Sequence, residues 1–340
     1  MKLNACKIIF FLGMALCAAG CRKELTYEPE QVVPGYRLDL EVEWLLEWET
    51  SNGFGWSDSW DENLFDEGYD HYRPKQPEGF GVVLYDRDAD DYTYNRELHL
   101  PTAGGKLSVD ESTRALLFYS DDSDYITISD MSAPHTAYAS TSTRARSSFE
   151  ELHSGERTVN PPDLLYGAYM EIDGLPYQEG YQSRKVSFQP LVYGYVIRFA
   201  IDDNREYMSL ARGALAGMAE GIYLKDGKTS DTAVTILFDC NLTSYGAGTQ
   251  VMTFGIPGHS LEDGNKVDAN RRYDVNLEIM LNNGKVLSYE FDVTDQINRQ
   301  PRGGVILLDD IKIPDDVAKE PNSGFKPDVE DWGDTTDIYL

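Results

Sequence analysis

The sequence predicts an all-β protein, and two observations carry that prediction. Apolar and charged residues alternate from Tyr36 to Trp48, with Leu45 as the single exception, as they do in a strand with one buried face. Short apolar runs follow, separated by turn residues. Four further strands are predicted at Gly81–Tyr85, Lys106–Val109, Ala115–Tyr119 and Tyr125–Ser129. Such close spacing favours a β-sandwich over βαβ units, and we expect little helix anywhere.

The N-terminus has the layout of an export signal. Lys2 and Lys7 supply positive charge, and the apolar run Ile8–Leu16 is too short to span a bilayer. Small residues then lead to Cys21. This pattern predicts a lipoprotein signal peptide over residues 1–20, with Cys21 as the lipidated first residue of the mature chain. The alternative is an ordinary signal peptide followed by a chance cysteine.

The cysteine count and the net charge argue against a disulfide and against several classes of partner. Two of the four cysteines leave with the signal and Cys21 takes lipid, so Cys240 has no intramolecular partner. It lies in an apolar run and is predicted to be a small buried hydrophobe. The formal net charge is −28, and loss of the two signal lysines makes it −30. This acidity argues against nucleic acid and against electrostatic docking on anionic lipid.

The length that remains after cleavage suits two domains. We expect a lipidated tether over 21–35, an N-terminal β-sandwich over 36–183, and a C-terminal β-sandwich over 184–340 with an acidic tail. The Ser, Thr and Arg-rich segment Ser132–Glu156 is predicted to be a long exposed loop. The tail from Gly324 to Leu340 suits either a late strand or a mobile end.

The sequence predicts the secondary structure of one segment of the second half clearly and leaves that of another open. Residues 192–201 carry apolar side chains on both faces, which predicts a strand covered on both sides. Met208–Glu220 is compatible with a strand or a short helix, although Gly213 and Gly217 weaken the helix.

A hairpin is predicted around Asn282–Gly284. A two-residue turn would set Ile279 opposite Ser288 and mix core with solvent. A three-residue loop instead pairs apolar residues on both strands. The pairs are Ile279 with Leu287, Leu277 with Tyr289 and Val275 with Phe291. We therefore predict a type I turn with Gly284 left-handed in a G1 bulge.

One acidic stretch has the spacing of a calcium loop. Asp86, Asp88, Asp90 and Glu97 occupy its positions 1, 3, 5 and 12. Position 6 of a calcium loop requires glycine for a sharp turn, but Asp91 occupies it here. The favoured interpretation is therefore an acidic hairpin tip. The four residues are kept as weak metal candidates.

Tryptophan clusters near the start of the mature chain. Trp44 and Trp48 share the inward face of the first strand and are predicted to pack in the core. Trp56 and Trp60 lie in a Gly, Ser and Asp-rich loop. Packing within the loop is the favoured reading for this pair, and contact with a sugar or a partner is the alternative.

The sequence lacks the common catalytic motifs. The sequence contains no HExxH, no GxSxG, no Walker A and no GxGxxG motif, and its histidines lack metal-ligand spacing. Abundant carboxylates leave a glycosidase pair open without selecting one. We predict no enzyme activity and no cofactor.

Several short stretches together resemble those of fimbrillin-like lipoproteins, relatives of type V pilus subunits and their lipidated anchors. They are Cys21–Leu25, Tyr72–Pro74, Pro77–Gly79, Thr158–Asp163, Leu210–Ala219, Phe254–Pro257, Phe291–Thr294, Gly303–Val305 and Asp331–Gly333. The resemblance spans nearly the whole mature chain.

The resemblance implies two tandem β-sandwich domains of Greek-key, fimbrillin/transthyretin-like type, held at the outer membrane by lipid and exposed at the surface. In related pili, subunits join by inserting a β-strand of one into a groove of the next. The expected partners are the outer membrane, other fimbrillin-like subunits and glycans, but not nucleic acid. The function expected is a pilus anchor, accessory subunit or adhesin. The alternative is a glycan-binding lipoprotein accessory to nutrient uptake.

Overall fold

The computed structural model describes residues 35–46, 60–88, 91–146, 151–172, 175, 179–260, 263, 266–321 and 335–338, the last four by their backbone. The strands of the first half are β1 (Gly35–Trp44), β2 (Gly79–Asp88), β3 (Asp91–Pro101), β4 (Gly104–Asp110), β5 (Thr113–Ser120), β6 (Ile126–Ser129), β7 (Tyr138–Thr141), β8 (Thr143–Arg146), β9 (Arg157–Val159) and β10 (Tyr166–Glu171).

The second half continues with strands and short helices. Its strands are β11 (Gln182–Pro190), β12 (Tyr193–Asp203), β13 (Met208–Ala219), β14 (Gly221–Tyr223), β15 (Ala233–Thr243), β16 (Gly246–Thr253), β17 (Asp274–Leu281), β18 (Val286–Asp292), β19 (Gly304–Lys312) and β20 (Thr335–Ile338). The helices are α1 (Thr294–Arg299), α2 (Asp315–Ala318) and two 3-10 turns, Tyr69–Tyr72 and Arg205–Tyr207. The predicted all-β class is confirmed. Within the described residues, no helix is long and apolar enough to cross a membrane.

The first sheet has seven strands in the order β3-β2-β5-β10-β11-β1-β4. The β10 and β11 strands pair through two residues only, and strands on both sides of this short pairing contribute to one core. Alternate residues of β1 and β2 point into that core, including Leu38, Leu40, Phe80 and Val82. Trp44 packs there too, stacked on Phe188 with ring centroids 4.1 Å apart. This confirms the predicted alternation and the core role of Trp44.

The second sheet follows the order β18-β17-β13-β15-β16-β12-β19. The β9 strand pairs with β15, β8 pairs with β9, and β20 pairs with β8. The β12 strand lies between β16 and β19 and is buried on both faces, as predicted. Tyr195, Ile197 and Phe199 enter the large second core, while Val196 faces a cluster around Phe65. The division into domains at residues 183 and 184 stays a prediction; in the structure β11 belongs to the first sheet and β12 to the second.

The β17–β18 hairpin has the predicted register. Val275 pairs with Phe291, Leu277 with Tyr289, and Ile279 with Leu287. The Gly284 N–H donates to the Leu281 carbonyl at 2.8 Å, and Gly284 has φ of 84°. Both features are those of the three-residue loop with a left-handed glycine.

Met208–Glu220 is a strand over nearly its whole length, so a helix there is wrong. The β13 strand pairs with β15 on one side and β17 on the other. Its small residues serve packing: a Cβ at Gly213 would lie 2.5 Å from the Phe238 ring. At Gly217, which has φ of +89°, a Cβ would also lie 2.6 Å from the Arg272 carbonyl oxygen. Cys240 on β15 is half-buried against the second core, and burial raises the pKa of its thiol.

The exposed loop predicted over Ser132–Glu156 is also wrong. This segment contains β7, which pairs with β6 and β14, and β8, which pairs with β20 and β9. Ala137, Ala139 and Arg146 are buried. Its threonines suit strands, and two of the strand partners, β14 and β20, lie far away in the sequence, where local composition gives no signal.

Candidate functional site

A groove lies along the edge of β16 where this strand separates from β15. One end is a cavity of about 520 Å³. Its walls are the segment before β2 and the β15–β16 hairpin, including Asp66, Glu67, His71, Tyr72, Asn241, Tyr245, Thr249 and Gln250. The other end is a cavity of about 470 Å³ lined by residues including Tyr125, Arg144, Asn160, Asp163, Asp239, Thr249 and Gln250. Because Thr249 and Gln250 line both cavities, we treat them as one feature, the β16 groove.

Aromatic packing supports one wall of the groove. Trp60 stacks on Phe65 with ring centroids 4.3 Å apart, and Tyr72 lies 5.1 Å from Trp60. The Arg198 guanidinium lies over the Tyr245 ring, 4.8 Å from its centroid. Trp60 therefore packs within its loop, as its sequence context favoured. Its ring also supports Tyr72 from behind. The tyrosines that line the groove were not singled out from the sequence.

Hydrogen bonds fix the carboxylates of the groove. Asp66 accepts the Ser244 N–H at 2.9 Å and also the Ser244 hydroxyl, and these bonds lower the pKa of Asp66. Asp163 accepts the N–H groups of Asp124 and Tyr125 at 2.7 and 2.6 Å.

Hydrogen bonds also hold polar side chains of β8 and β16 that line the groove. Arg144 donates to Asp239 at 2.9 Å, and the Gln250 amide donates to the Tyr72 carbonyl at 3.0 Å. Burial, with the nearby Tyr245 and acids, raises the pKa of the Tyr72 phenol to about 12, so it stays protonated. The groove thus presents oriented acceptors and neutral phenols.

The acidic stretch considered for calcium forms the β2–β3 hairpin. Asp86 accepts the Asn95 amide at 2.9 Å and the Thr113 hydroxyl at 3.1 Å, while Glu97 accepts the Tyr119 hydroxyl. Asp88 pairs with Asp91 across the hairpin. Across the part of the chain that the structure describes, no three His, Cys, Asp or Glu side chains group as metal ligands. Three predicted site residues, Asp90, Trp56 and Cys21, lie outside the described residues, as does Trp48.

The last strand forms an edge of the second sheet. Thr335 to Ile338 run antiparallel to β8, with Thr335 opposite Arg146 and Asp337 opposite Arg144. Among the described strands β20 has β8 as its only partner. The tail thus contributes a late strand, one of the two readings that the sequence allowed.

Side chains also tie β8 to β15 and β13 of the same sheet. Arg144 donates to the Leu237 carbonyl at 3.0 Å, and the buried Arg146 donates to the carbonyls of Phe238 and Gly213 at 3.1 and 3.3 Å. The strand that receives β20 is therefore fixed by side chains as well as by its short pairing with β9.

A half-buried histidine joins the segment before β9 to β17. The His153 ring faces Glu156 at 2.8 Å through Nδ1 and Asp274 at 2.7 Å through Nε2. Glu156 also accepts the Gly217 N–H, and Asp274 pairs with Arg272. Burial disfavours the imidazolium, but the two carboxylates outweigh it and raise the pKa of His153 above its usual value.

This arrangement predicts a pH-dependent contribution to stability. Because the folded state holds the His153 proton more tightly than the unfolded chain, its stabilisation is complete below the unfolded pKa of about 6.5 and is lost as pH rises through the higher folded pKa. Replacing His153 by Gln should therefore cost more unfolding free energy at pH of about 6 than at about 9. Urea unfolding at several pH values measures the difference.

The exposed His135 provides the control, since His135→Gln should leave the pH profile of stability unchanged. A gap between wild type and His153→Gln that stays constant with pH would contradict the role assigned to the imidazolium.

Solved structures with a similar fold come from Bacteroides. A candidate adhesin from Bacteroides ovatus has a TM-score of 0.52 at 15% identity, covering 83% of this chain and 93% of that one. A second candidate adhesin from Bacteroides ovatus has a TM-score of 0.50 at 12% identity, covering 81% and 87%. At these identities the similarity establishes the fold alone, and it agrees with the fimbrillin-like fold expected from the resemblance.

A more distant similarity is to the fimbrial anchor protein Mfa2 from Porphyromonas gingivalis, with a TM-score of 0.40 at 8% identity over 80% of this chain and 90% of that one. No curated protein sequence matches the chain. A family described as a domain of unknown function, DUF5119, matches residues 69–239, from the 3-10 turn before β2 to Asp239 at the β16 groove. Since this match covers half of the chain, the protein belongs to the DUF5119 family.

Proposed function

We propose that this chain is a non-catalytic, lipid-anchored protein of the outer-membrane surface that acts as a pilus anchor, accessory subunit or adhesin of fimbrillin type. The observation that carries the proposal is the pairing of β20 with β8. A short edge strand that has one partner among the described strands is suited to exchange between subunits.

The physical basis of such exchange is backbone hydrogen bonding. The β20 strand has four residues and pairs with β8 at the edge of the sheet. The same backbone bonds form when an equivalent strand comes from another subunit, so exchange changes the partner but not the contacts. Side chains of Arg144 and Arg146 keep β8 in place for either strand.

The N-terminal pattern supplies the anchor in this proposal. Cys21 would carry the acyl chains, and the mature chain would reach β1 after the tether over residues 21–35. Acyl chains then hold the protein at the membrane despite the net charge of −30 that the mature chain carries.

A second candidate function is a glycan-binding lipoprotein accessory to nutrient uptake. The β16 groove favours it, because the groove is open, polar and lined by tyrosines. Trp60 adds nothing to this candidate, since its ring packs on Phe65.

The test is a pull-down of the native lipoprotein from gently sheared outer membranes, followed by mass spectrometry. We expect wild type to recover other fimbrillin-like subunits in a heat-resistant assembly that denaturant dissociates. Asp337→Pro removes a backbone donor and disfavours the strand, so this variant should recover the protein alone.

Asp337→Asn is the matched control, because it keeps the backbone donor and should recover the same subunits as wild type. Thermal unfolding of all three proteins checks that the body of the fold is intact. Recovery of the same subunits by Asp337→Pro would contradict strand exchange at β20. Recovery of a nutrient transporter instead of subunits would favour the second candidate.

A further inference from the structure

The β16 groove has the dimensions of a ligand site. Its two cavities, of about 470 and 520 Å³, each fall in the range of roughly 300–1,000 Å³ that is typical of small-molecule sites. Because Thr249 and Gln250 line both cavities, the two cavities suit adjoining units of one chain better than a single compact molecule.

The polar groups of the groove are oriented before any ligand arrives. Asp66 and Asp163 are each held by hydrogen bonds from neighbouring backbone N–H groups. Gln250 is held by the bond from its amide to the Tyr72 carbonyl. A ligand therefore meets fixed acceptors, and little side-chain entropy is lost when it binds.

Aromatic faces complement these acceptors. Tyr72 and Tyr245 line one cavity and Tyr125 lines the other. The Tyr72 ring is supported by Trp60, and the Tyr245 ring by Arg198. Tyrosine offers a flat apolar body beside a hydroxyl, which matches a ring that has C–H groups on its faces and hydroxyls on its rim.

The charge of the lining excludes two other ligand classes. Asp66, Glu67, Asp163 and Asp239 line the groove, and the Arg144 guanidinium is already paired with Asp239. Like-charge repulsion therefore disfavours anionic ligands such as nucleic acid or sulfated polymers. The polar walls also disfavour a wholly apolar ligand, because their groups would lose water without gaining partners.

We propose that the β16 groove binds a neutral oligosaccharide, with hydroxyls on the carboxylates and amides and sugar faces on Tyr72 and Tyr245. The inference rests on the proposed surface role, because a polysaccharide meets this chain only outside the cell. Glycan binding uses side chains of the groove, whereas strand exchange uses the backbone of β8. The two sites adjoin at Arg144, which lies on β8 and also lines the groove.

The experiment uses the mature lipoprotein in mild detergent, applied to an array of neutral, sialylated and sulfated oligosaccharides. We expect binding to neutral members, followed by calorimetric titration with the strongest of them. Gln250→Ala should weaken that affinity about tenfold, because it removes a polar contact at the junction of the two cavities. Thr249→Trp should abolish binding by filling the junction.

Thr93→Trp is the matched control, since Thr93 is exposed on β3 outside the groove, and its affinity should equal that of wild type. Thermal unfolding shows whether each variant is folded. Absence of binding to every neutral glycan overturns the proposal, and so does binding that Thr249→Trp leaves unchanged. Binding restricted to a library of cationic peptides would overturn it in favour of a protein ligand.

Different results would contradict strand exchange at β20 and glycan binding in the β16 groove. Glycan binding with no capture of pilus subunits would contradict strand exchange and leave the groove assignment standing. Capture of subunits by wild type and by Thr249→Trp alike, with no glycan bound by either, would contradict the groove assignment alone.

Discussion

Replacing Cys21 by Ser is expected to move the protein from the outer-membrane fraction to the aqueous fraction. A serine hydroxyl cannot take the thioether-linked lipid, so the chain loses its acyl groups. Each buried CH₂ contributes about 0.8 kcal/mol to membrane attachment, and two or three acyl chains make it stable. The described residues contain no helix able to replace that anchor. Membrane fractionation and labelling with radioactive palmitate measure the change.

Two cysteines serve as controls for this prediction. Cys17→Ser changes a residue of the predicted signal, and Cys240→Ser changes the half-buried residue on β15. Both should keep label and membrane association. If Cys21→Ser still takes label or still sediments with membranes, the lipoprotein reading of the N-terminus is wrong.

Glu278→Gln is expected to cause the largest loss of stability of any substitution considered. Arg212 Nε lies 2.5 Å from Glu278 Oε2, and the two side chains are 4% and 7% exposed. Burial and the Arg212 charge lower the pKa of the neighbouring Arg146 to about 10, so Glu278 balances a buried cluster of cations. Removing one partner of a buried pair costs about 3–5 kcal/mol. Urea unfolding measures this difference in free energy.

Glu290→Gln is the matched control for Glu278→Gln. Glu290 lies on the neighbouring β18 with its side chain 58% exposed, and its loss should change stability by less than about 0.5 kcal/mol. A double variant, Arg212→Met with Glu278→Leu, should recover much of the loss, because no unpaired charge stays buried at this position. Equal effects of Glu278→Gln and Glu290→Gln would show that the buried pair does not stabilise the fold.

Local patterns predicted those parts of the fold whose partners are near in sequence. The alternation of β1 and the register of the β17–β18 hairpin followed from side-chain period and turn geometry. The β13 strand was ambiguous because its alanines and glycines suit close packing in either structure. Backbone pairing with β15 and β17 fixes it as a strand, and the Phe238 and Tyr273 rings leave no room for larger side chains at Gly213 and Gly217. Only the folded chain brings these partners near.

Long-range pairing explains the rest of what sequence reasoning missed. The β8 strand is stabilised by β20 and by contacts with β15, far away in the chain. The β16 groove joins Asp66, Arg144 and Gln250, which no spacing rule connects. The tryptophans near residue 60 were the only sequence feature that pointed to this region. They identified Trp60, which supports Tyr72 from behind, and not the tyrosines that line the groove.

The placement of β1 and β20 determines how the molecule bears mechanical load. A pull between the two ends of the chain enters through β1, which is hydrogen-bonded to β11 along Leu38–Trp44 and to β4 along Gly35–Glu41. Hydrogen bonds on both edges of β1 share such a load, so more of them resist it than at a strand with one partner. At the other end the load enters β20, held by β8 over four residues. Under tension we therefore expect β20 to leave β8 before β1 leaves the first sheet.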